Sequence, residues 1–398
     1  MSGDRDEIKI KELELKNTEA KLGQDHQQLI PLIKELAEIC IHWGKFPRAE
    51  HLYRRVLEIR IRNFGPESLE VASSFNNLAV LFSIQGRYYE ALPLYEKSLA
   101  LNKKLADQDI LAQARLITNI GTVHKILGRN GPAEENLLKA REIFQNRSPA
   151  DDPMLAKTLI NLAGLYRDQN RLSEAEDLCN RTIEIANKAY GPEHPQIALC
   201  YNNLAEVYAA QGRKNEAEEL YIRAIDFKEK LQGAEHPEIS IYLNNLGDLY
   251  RGQQKFVEAE TIYHRALEVD EGYLPQENPI MAATYKNLAT LCSIQGDNGK
   301  AESYYLRAIS IYERTLGPDH PDVAEPLLRL AELQHGQGRN SEAEALCLRS
   351  MAIWQKGYGP KHSKVADILK MLSKLCFAQE KISEGEAFLK QVFEIKTN

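Results

Sequence analysis

The sequence predicts an all-α solenoid built from antiparallel helix pairs, and three observations lead to this prediction. One unit recurs every 42 residues without insertion or deletion. A small residue stands five positions after the central turn of each unit, and a leucine or isoleucine stands eight positions before it. A fixed period of this length indicates stacked repeats that contact only their neighbours. The central turns lie at Gly44, Gly86, Gly128, Asn170, Gly212, Gln254, Gly296, Gly338 and Glu380.

Residues 196–237 show how one unit is built. Their first half places apolar residues near i, i+3, i+4 and i+7, which is the period of an amphipathic helix. Gly212 interrupts that helix, because glycine readily adopts the left-handed conformation that ends a helix. A second apolar stripe follows, with Ala217 at its start. Pro237 ends the second helix, since proline cannot continue one. The unit therefore reads as helix, turn, helix and exit loop.

The repeat frame divides the chain into a leading segment and a solenoid. Residues 1–28 fit the second helix and exit loop of an incomplete repeat, and we expect a half-repeat or capping helix there. A short disordered leader is the alternative. Residues 29–398 hold nine tandem 42-residue repeats. Repeat three is the least regular, because Gly121 stands where most repeats have alanine.

The ninth repeat differs from the others at its end. It stops at Asn398 without an exit loop. Its second helix carries Phe388, Leu389 and Phe393, and no following repeat covers these apolar side chains. They either close the last core or leave an exposed patch that favours weak self-association through this repeat.

Composition narrows the classes of function. The chain is 43% hydrophobic and 27% charged, as is typical of a folded domain, and its net charge of −7 argues against general nucleic-acid binding. Its six cysteines form no CxxC pair and occupy core positions of the repeat, which favours a reducing compartment. We find neither a signal peptide nor an apolar run near 20 residues. We therefore expect a cytoplasmic protein with no membrane or nucleic-acid partner.

The repeat pattern resembles the tetratricopeptide repeat. Leu204-Ala205, Tyr208, Ala217 and Tyr221 match the family's small and aromatic positions. The resemblance implies a right-handed superhelix of helix pairs whose first helices line a concave groove. HEAT-type repeats overlap this period but lack the small residues at the two alanine positions.

The longer 42-residue unit is similar to the repeats of kinesin light chains and their bacterial relatives. Asn202-Asn203-Leu204-Ala205 carries one motif of that type, and Gly191–Pro195 and Gly317–Pro321 carry the other. The chain departs from the motor subunit because no heptad coiled coil precedes the repeats. Docking to a kinesin heavy chain is therefore not expected.

A row of asparagines is the first candidate site. By resemblance to the family, the residue before the repeated leucine points into the groove. An amide offers one acceptor and two donors, so a row of amides can bind an extended peptide backbone. The alternative is that each asparagine satisfies a neighbouring helix end or loop. The row comprises Asn77, Asn119, Asn161, Asn203, Asn245 and Asn287.

Basic residues in repeats three and four are the second candidate. Arg115, Lys125, Lys157 and Arg167 occupy positions expected in the groove. Opposite charges orient partners, so we expect a ligand with an acidic end here. The family is known to take short acidic peptides with an aromatic anchor, which agrees. A solvated charged face is the alternative.

Catalytic and metal sites are not expected. Histidines recur once per repeat in neighbouring loops, at His26, His194, His236, His320 and His362. This arrangement favours a turn or cap role over zinc binding. No phosphate-binding glycine motif and no nucleophile–base set stands outside the repeat register. We expect no enzyme activity, cofactor or metal.

The preferred hypothesis is a protein–protein interaction adaptor that binds a partly acidic peptide segment in its groove. The alternative is a self-assembling scaffold that uses its C-terminal end or edge.

Overall fold

The computed structural model describes residues 3–396, apart from 43, 106–108, 150–151, 193, 234–235, 237 and 274–278. Throughout these residues the regular elements are helices that pack in sequence as pairs, which confirms the predicted α-solenoid class. The chain falls into two compact units, Met1–Ile143 and Phe144–Asn398.

The first unit contains the earlier helices. The turn of 3₁₀-helix at Gln27–Leu29 precedes the second of them. The last of them crosses the division between the units. The helices are α1 Gly3–Leu22, α2 Ile30–His42, α3 Phe46–Phe64, α4 Leu69–Ile84, α5 Tyr88–Leu105, α6 Ile110–Ile126 and α7 Asn130–Arg147.

The second unit contains the remaining helix pairs. Each even-numbered helix is the first of its repeat, and each odd-numbered helix is the second. The helices are α8 Pro153–Asp168, α9 Leu172–Tyr190, α10 Gln196–Ala210, α11 Lys214–Gln232, α12 Glu238–Gly252, α13 Phe256–Tyr273, α14 Pro279–Gln295, α15 Asn298–Thr315, α16 Pro321–Gly336, α17 Asn340–Tyr358, α18 Ser363–Ala378 and α19 Ile382–Lys396.

The turn inside each repeat uses left-handed backbone. Gly212 has a φ of 78°, as expected for glycine after a helix. Asn170, Gln254 and Glu380 adopt φ of 60° at the same register position, although they carry side chains. The left-handed region is costly for residues other than glycine. The surrounding repeat therefore imposes this conformation even where the sequence does not favour it.

The two helices of a repeat meet at small residues. Ala49, Ala91, Ala217 and Ala301 are each 0% exposed, as the repeated alanine positions predict. Gly247 in α12 shows how tight the contact is, because a Cβ built on it would lie 2.4 Å from a ring carbon of Tyr263. A methyl group cannot fit there unless the buried Tyr263 ring moves.

Ionic contacts link one repeat to the next. The residue after the central turn is often basic, and it binds a carboxylate that lies 37 residues earlier, on the second helix of the preceding repeat. Arg213 donates to Glu176 at 2.9 Å and stacks on Tyr208 with 3.6 Å to the ring centroid. Arg339 and Glu302 repeat the contact at 2.7 Å. We call these contacts the inter-repeat latches.

The cysteines lie in the core. All six are free and buried. Burial raises the pKa of the Cys179 thiol to about 12 and that of Cys200 to about 11, so both stay protonated at neutral pH. The prediction that the cysteines fill core positions is confirmed.

The leading segment contains α1, which packs on α2 and buries Leu15. The helix lies where a capping helix is predicted. The boundary at residue 28 and the division of 29–398 into nine repeats stay predictions. Among the helices that the structure describes, none is long and apolar enough to cross a lipid bilayer.

Asp270 in α13 is a buried carboxylic acid. Burial raises its pKa to about 6, against the opposing effect of a hydrogen bond from the Ser240 hydroxyl at 2.8 Å, while the neighbouring Glu271 carboxylate raises it further. Its second oxygen has no hydrogen-bond partner among the described residues. The folded chain therefore holds a proton that the unfolded chain has already released above pH 3.8.

We expect Asp270→Asn to stabilise the protein at pH 8. The stabilising contribution of protonated Asp270 is present at low pH and is lost as the pH rises through about 6. The gain in unfolding free energy should be about 2–3 kcal/mol at pH 8 and should shrink toward pH 4. Urea unfolding at several pH values measures it, with Glu268→Gln on the exposed side of α13 as control. An equal gain at all pH values would contradict the assignment.

Candidate functional site

The first helices of the second unit line a large cavity. Its volume is about 660 Å³, and α12, α14 and α16 supply most of its lining. The lining includes Asp248 of α12, Asn287 of α14 and Arg329 of α16. Ile294, which is 53% exposed, adds an apolar side chain to the mainly polar lining.

Two further cavities adjoin the first. One of about 520 Å³ extends toward α8 and α10 and shares Asp248 with the central cavity. The other, of about 260 Å³, extends to α18 and shares Glu325 and Arg329. Because neighbouring cavities share lining residues, they form one groove across α8, α10, α12, α14, α16 and α18. We call it the unit 2 groove.

The charges in the unit 2 groove are largely paired. Arg251 binds Asp248 at 2.8 Å, and Arg329 binds Glu332 at 2.9 Å. Burial raises the pKa of Glu325, but the nearby cations, led by Lys286, outweigh that effect and hold the pKa below its usual range. Glu325 is therefore ionised at neutral pH. The groove presents alternating charges of both signs rather than one basic surface.

The four predicted cations are divided between the units. Arg115 and Lys125 lie on α6 in the first unit, and Lys157 and Arg167 lie on α8 in the second. Lys157 is exposed. Arg167 lines the unit 2 groove, where it forms ion pairs with Glu206 and with Asp168. An acidic ligand would therefore compete with Glu206 for Arg167. The binding role of all four residues stays a prediction.

Asparagines of neighbouring repeats bind one another. The Asn245 amide Nδ2 donates to Asn202 Oδ1 at 2.7 Å, and Asn287 Nδ2 donates to Asn244 Oδ1 at 3.1 Å. Within the described part of the chain, Asn161 donates only to the Lys157 carbonyl of its own helix, at 3.1 Å. Two members of the predicted row therefore hold adjacent first helices together.

Asn202 and Asn244 are residues that the sequence reasoning missed. Both are buried, and Asn244 also donates to the Ser240 carbonyl and to Thr284 Oγ1, each at 2.8 Å. The signal was present as the Asn-Asn doublet at 202–203 and at 244–245. The first asparagine of each doublet accepts the hydrogen bond from the next repeat.

The other row members differ in their surroundings. Asn203 has an enclosed Nδ2 without a hydrogen-bond partner among the described residues. Asn77 on α4 and Asn119 on α6 are half-buried in the first unit. Asn203 is thus a member whose donor is enclosed and yet unpaired among the described residues. Ligand contact by the row stays a prediction.

The described residues contain one cluster with metal-ligand chemistry, and it suits a metal poorly. Glu344, Cys376 and Glu384 place their ligand atoms within 4.8 Å of one another. The Lys381 ammonium already donates to Glu344 at 2.9 Å. Burial raises the pKa of Cys376, which keeps it a neutral thiol. A cation would have to displace Lys381 and deprotonate a buried cysteine.

The recurring histidines bind the backbone where helices begin, and His26, His320 and His362 are N-caps. His194 Nδ1 accepts from the backbone N–H of Gln196 at 3.2 Å, and His320 Nδ1 accepts from Asp322 at the same distance. The predicted turn or cap role is confirmed for these positions.

We expect Asn287→Ala to destabilise the protein and Asn161→Ala to leave its stability nearly unchanged. Truncating Asn287 leaves the buried Asn244 oxygen without its donor, which costs about 1–3 kcal/mol. Asn161 makes an exposed bond within its own helix. Urea unfolding of the two variants compares the same register position in two repeats. Equal losses would show that the contact between repeats contributes little.

A sequence model of the tetratricopeptide repeat matches residues 27–104, 76–146, 111–178, 154–230, 215–272, 280–346 and 327–398. No curated protein matches the chain.

Several solved structures resemble it. BtubC (BKLC) from P. vanneervenii is 24% identical, with 58% of this chain and 92% of that chain covered and a TM-score of 0.46. A Rap protein complexed with Competence and Sporulation Factor is 14% identical, with 94% and 98% covered and a TM-score of 0.55. A Podosopora anserina kinesin light chain candidate with nearly identical tetratricopeptide-like repeats is 25% identical, with 52% and 97% covered and a TM-score of 0.40.

Proposed function

Because the chain belongs to the tetratricopeptide-repeat family, we propose that it is a non-catalytic adaptor that binds an extended segment of another protein. The unit 2 groove is the observation that supports this proposal most directly. It joins three cavities across consecutive first helices and is lined by charged and amide side chains. Such a surface suits a polar chain segment better than a compact small molecule.

The length of the groove indicates the size of the bound segment. Neighbouring packed helices lie about 8–10 Å apart, so the five steps from α8 to α18 span roughly 40–50 Å. An extended chain advances about 3.3 Å per residue. The groove would then accommodate roughly 12–15 residues.

The charges favour a segment that is acidic toward α8. Lys157 is exposed there, and Arg167 exchanges Glu206 for a ligand carboxylate without losing its ion pairing. From α12 to α16 the paired charges of both signs favour hydrogen bonds over net attraction. Salt should therefore weaken binding only moderately, because few charges are neutralised on association.

A non-catalytic role accords with the chemistry of the groove. Its described lining includes no cysteine and no free histidine–nucleophile pair. The buried thiols have raised pKa values and are poor nucleophiles. Free cysteines are also consistent with the cytoplasm, where we place the protein.

One structural relative illustrates what this architecture can hold. The Rap protein is complexed with Competence and Sporulation Factor. That similarity concerns the fold alone, and the partner of the present chain is to be found by experiment.

We expect the double variant Asn161→Ala, Asn203→Ala to lose a protein that the wild type captures from native lysate. Both amides belong to the asparagine row, and among the residues that the structure describes neither makes a hydrogen bond to another repeat. The matched control is Asn180→Ala with Asn215→Ala, on exposed positions of the second helices in the same repeats. Mass spectrometry identifies the captured proteins. An unchanged set at equal thermal stability would remove the asparagine row from the proposal.

A second candidate is self-assembly through α19. Leu389 is 46% exposed and Phe393 is 69% exposed, whereas Tyr305 and Ile309 at the same register positions of α15 are 2% and 7% exposed. Phe388 is partly buried against the core. The outer side of α19 thus exposes apolar residues at register positions that are buried in α15.

Self-assembly predicts a molar mass that rises with protein concentration. Light scattering over a concentration series measures it, and Leu389→Ser with Phe393→Ser should keep the mass at that of one chain. Leu348→Ser, on an exposed apolar position of α17, is the control. A wild-type mass that stays constant at one chain would exclude this candidate.

A further inference from the structure

Five histidines share one hydrogen-bonding geometry that depends on their protonation state. In each, Nδ1 accepts a hydrogen bond from the backbone N–H two residues later, at 3.2–3.3 Å. His320 caps α16 and His362 caps α18, and both rings are only 9% exposed. These two helices form one end of the unit 2 groove.

The cap requires a neutral imidazole. An Nδ1 that accepts a hydrogen bond carries no proton, so the ring holds its single proton on Nε2. Protonation places a second N–H opposite the backbone N–H and removes the cap. It also places a positive charge at the positive end of the helix dipole. Free imidazole changes charge near pH 6.5, within the range that cells experience.

The surroundings of His320 offer its protonated form another partner. The Asp322 carboxylate lies 3.6 Å from Nδ1, on the first turn of α16. The neighbouring Asp319 is occupied by Lys356 of α17 at 2.6 Å. Tyr312 of α15 is neutral, because burial and then the Asp322 charge raise its pKa. A protonated His320 would therefore lose its hydrogen bond to the α16 backbone and form an ion pair with the Asp322 carboxylate instead.

The surroundings of His362 oppose its protonation in place. The ring stacks on Trp354 of α17 at 5.9 Å between centroids and contacts Tyr358 at 4.8 Å. The Lys364 ammonium lies 4.1 Å above the same Trp354 ring, and the exposed Lys361 precedes the histidine. A second positive charge beside these lysines is repelled, so protonation favours release of the ring from its cap.

We infer that the α16–α18 end of the groove is regulated by protons. When His320 and His362 are neutral, they hold the first turns of both helices, which position Glu325 and Lys364 in the groove. When they are protonated, these turns loosen, and a ligand bound across them dissociates more readily. The loosening of the helix turns does not depend on a ligand, whereas the effect on a ligand rests on the proposed groove function.

Hydrogen exchange of the full chain tests the inference without a ligand. After correction for the intrinsic pH dependence of exchange, the first turns of α16 and α18 should lose protection about fivefold between pH 7.5 and pH 5.5, as the loss of one cap predicts. The first turn of α8 is the internal reference, because its cap is Asp152. Equal protection of α16 and α18 at both pH values would overturn the inference. Asp270 lies on α13, so its titration falls outside the segments that are measured.

The double variant His320→Asn, His362→Asn shows whether these rings are the cause. Asparagine is a good N-cap and does not titrate, so the variant should fold and lose the pH response. His264→Asn, on an exposed position of α13, should retain it. A pH response that persists in the double variant would overturn the inference. Lysate capture at both pH values then tests the groove separately: capture that fails at every pH rejects the proposed function and leaves the exchange result intact.

Discussion

The close approach of two helices over a small residue is the contact on which the rest of the structure depends. From α3 to α17, each second helix carries in its first turn an alanine whose side chain is fully buried, and Gly385 takes that position in α19. At Gly247 the Tyr263 ring fills the space of a Cβ. This spacing brings the two apolar stripes into one core. Because each pair buries only part of its apolar surface, the next repeat must cover the remainder. The solenoid is the consequence of that need.

Polar contacts set how the stacked pairs register with one another. The inter-repeat latches join a turn to the preceding second helix, as Arg213 does with Glu176. The asparagine pairs join adjacent first helices, as Asn287 does with Asn244. Asn245 and Asn287 therefore both line the groove and hold neighbouring repeats together. A ligand that engages these amides would act on the spacing of the repeats as well as on single side chains.

Much of the fold and part of the site could be predicted from the sequence. The period, the turns, the buried alanines and the capping histidines follow from local rules, because each depends on residues a few positions apart. The asparagine row could be located in register for the same reason. Its hydrogen bonds could not, because Asn202 and Asn245 lie 43 residues apart and meet only after two repeats stack.

The sequence by itself determined the repeat and the residue types that face each side of a helix, since a strict period leaves one arrangement of apolar stripes. Tertiary structure alone decided which groove charges are free. Arg167 was expected to attract a ligand, and it lies against Glu206 of the next repeat. Ion pairs and amide pairs of this kind depend on the distance and rotation between neighbouring repeats, which the packing of whole helices sets and which no short stretch of sequence encodes.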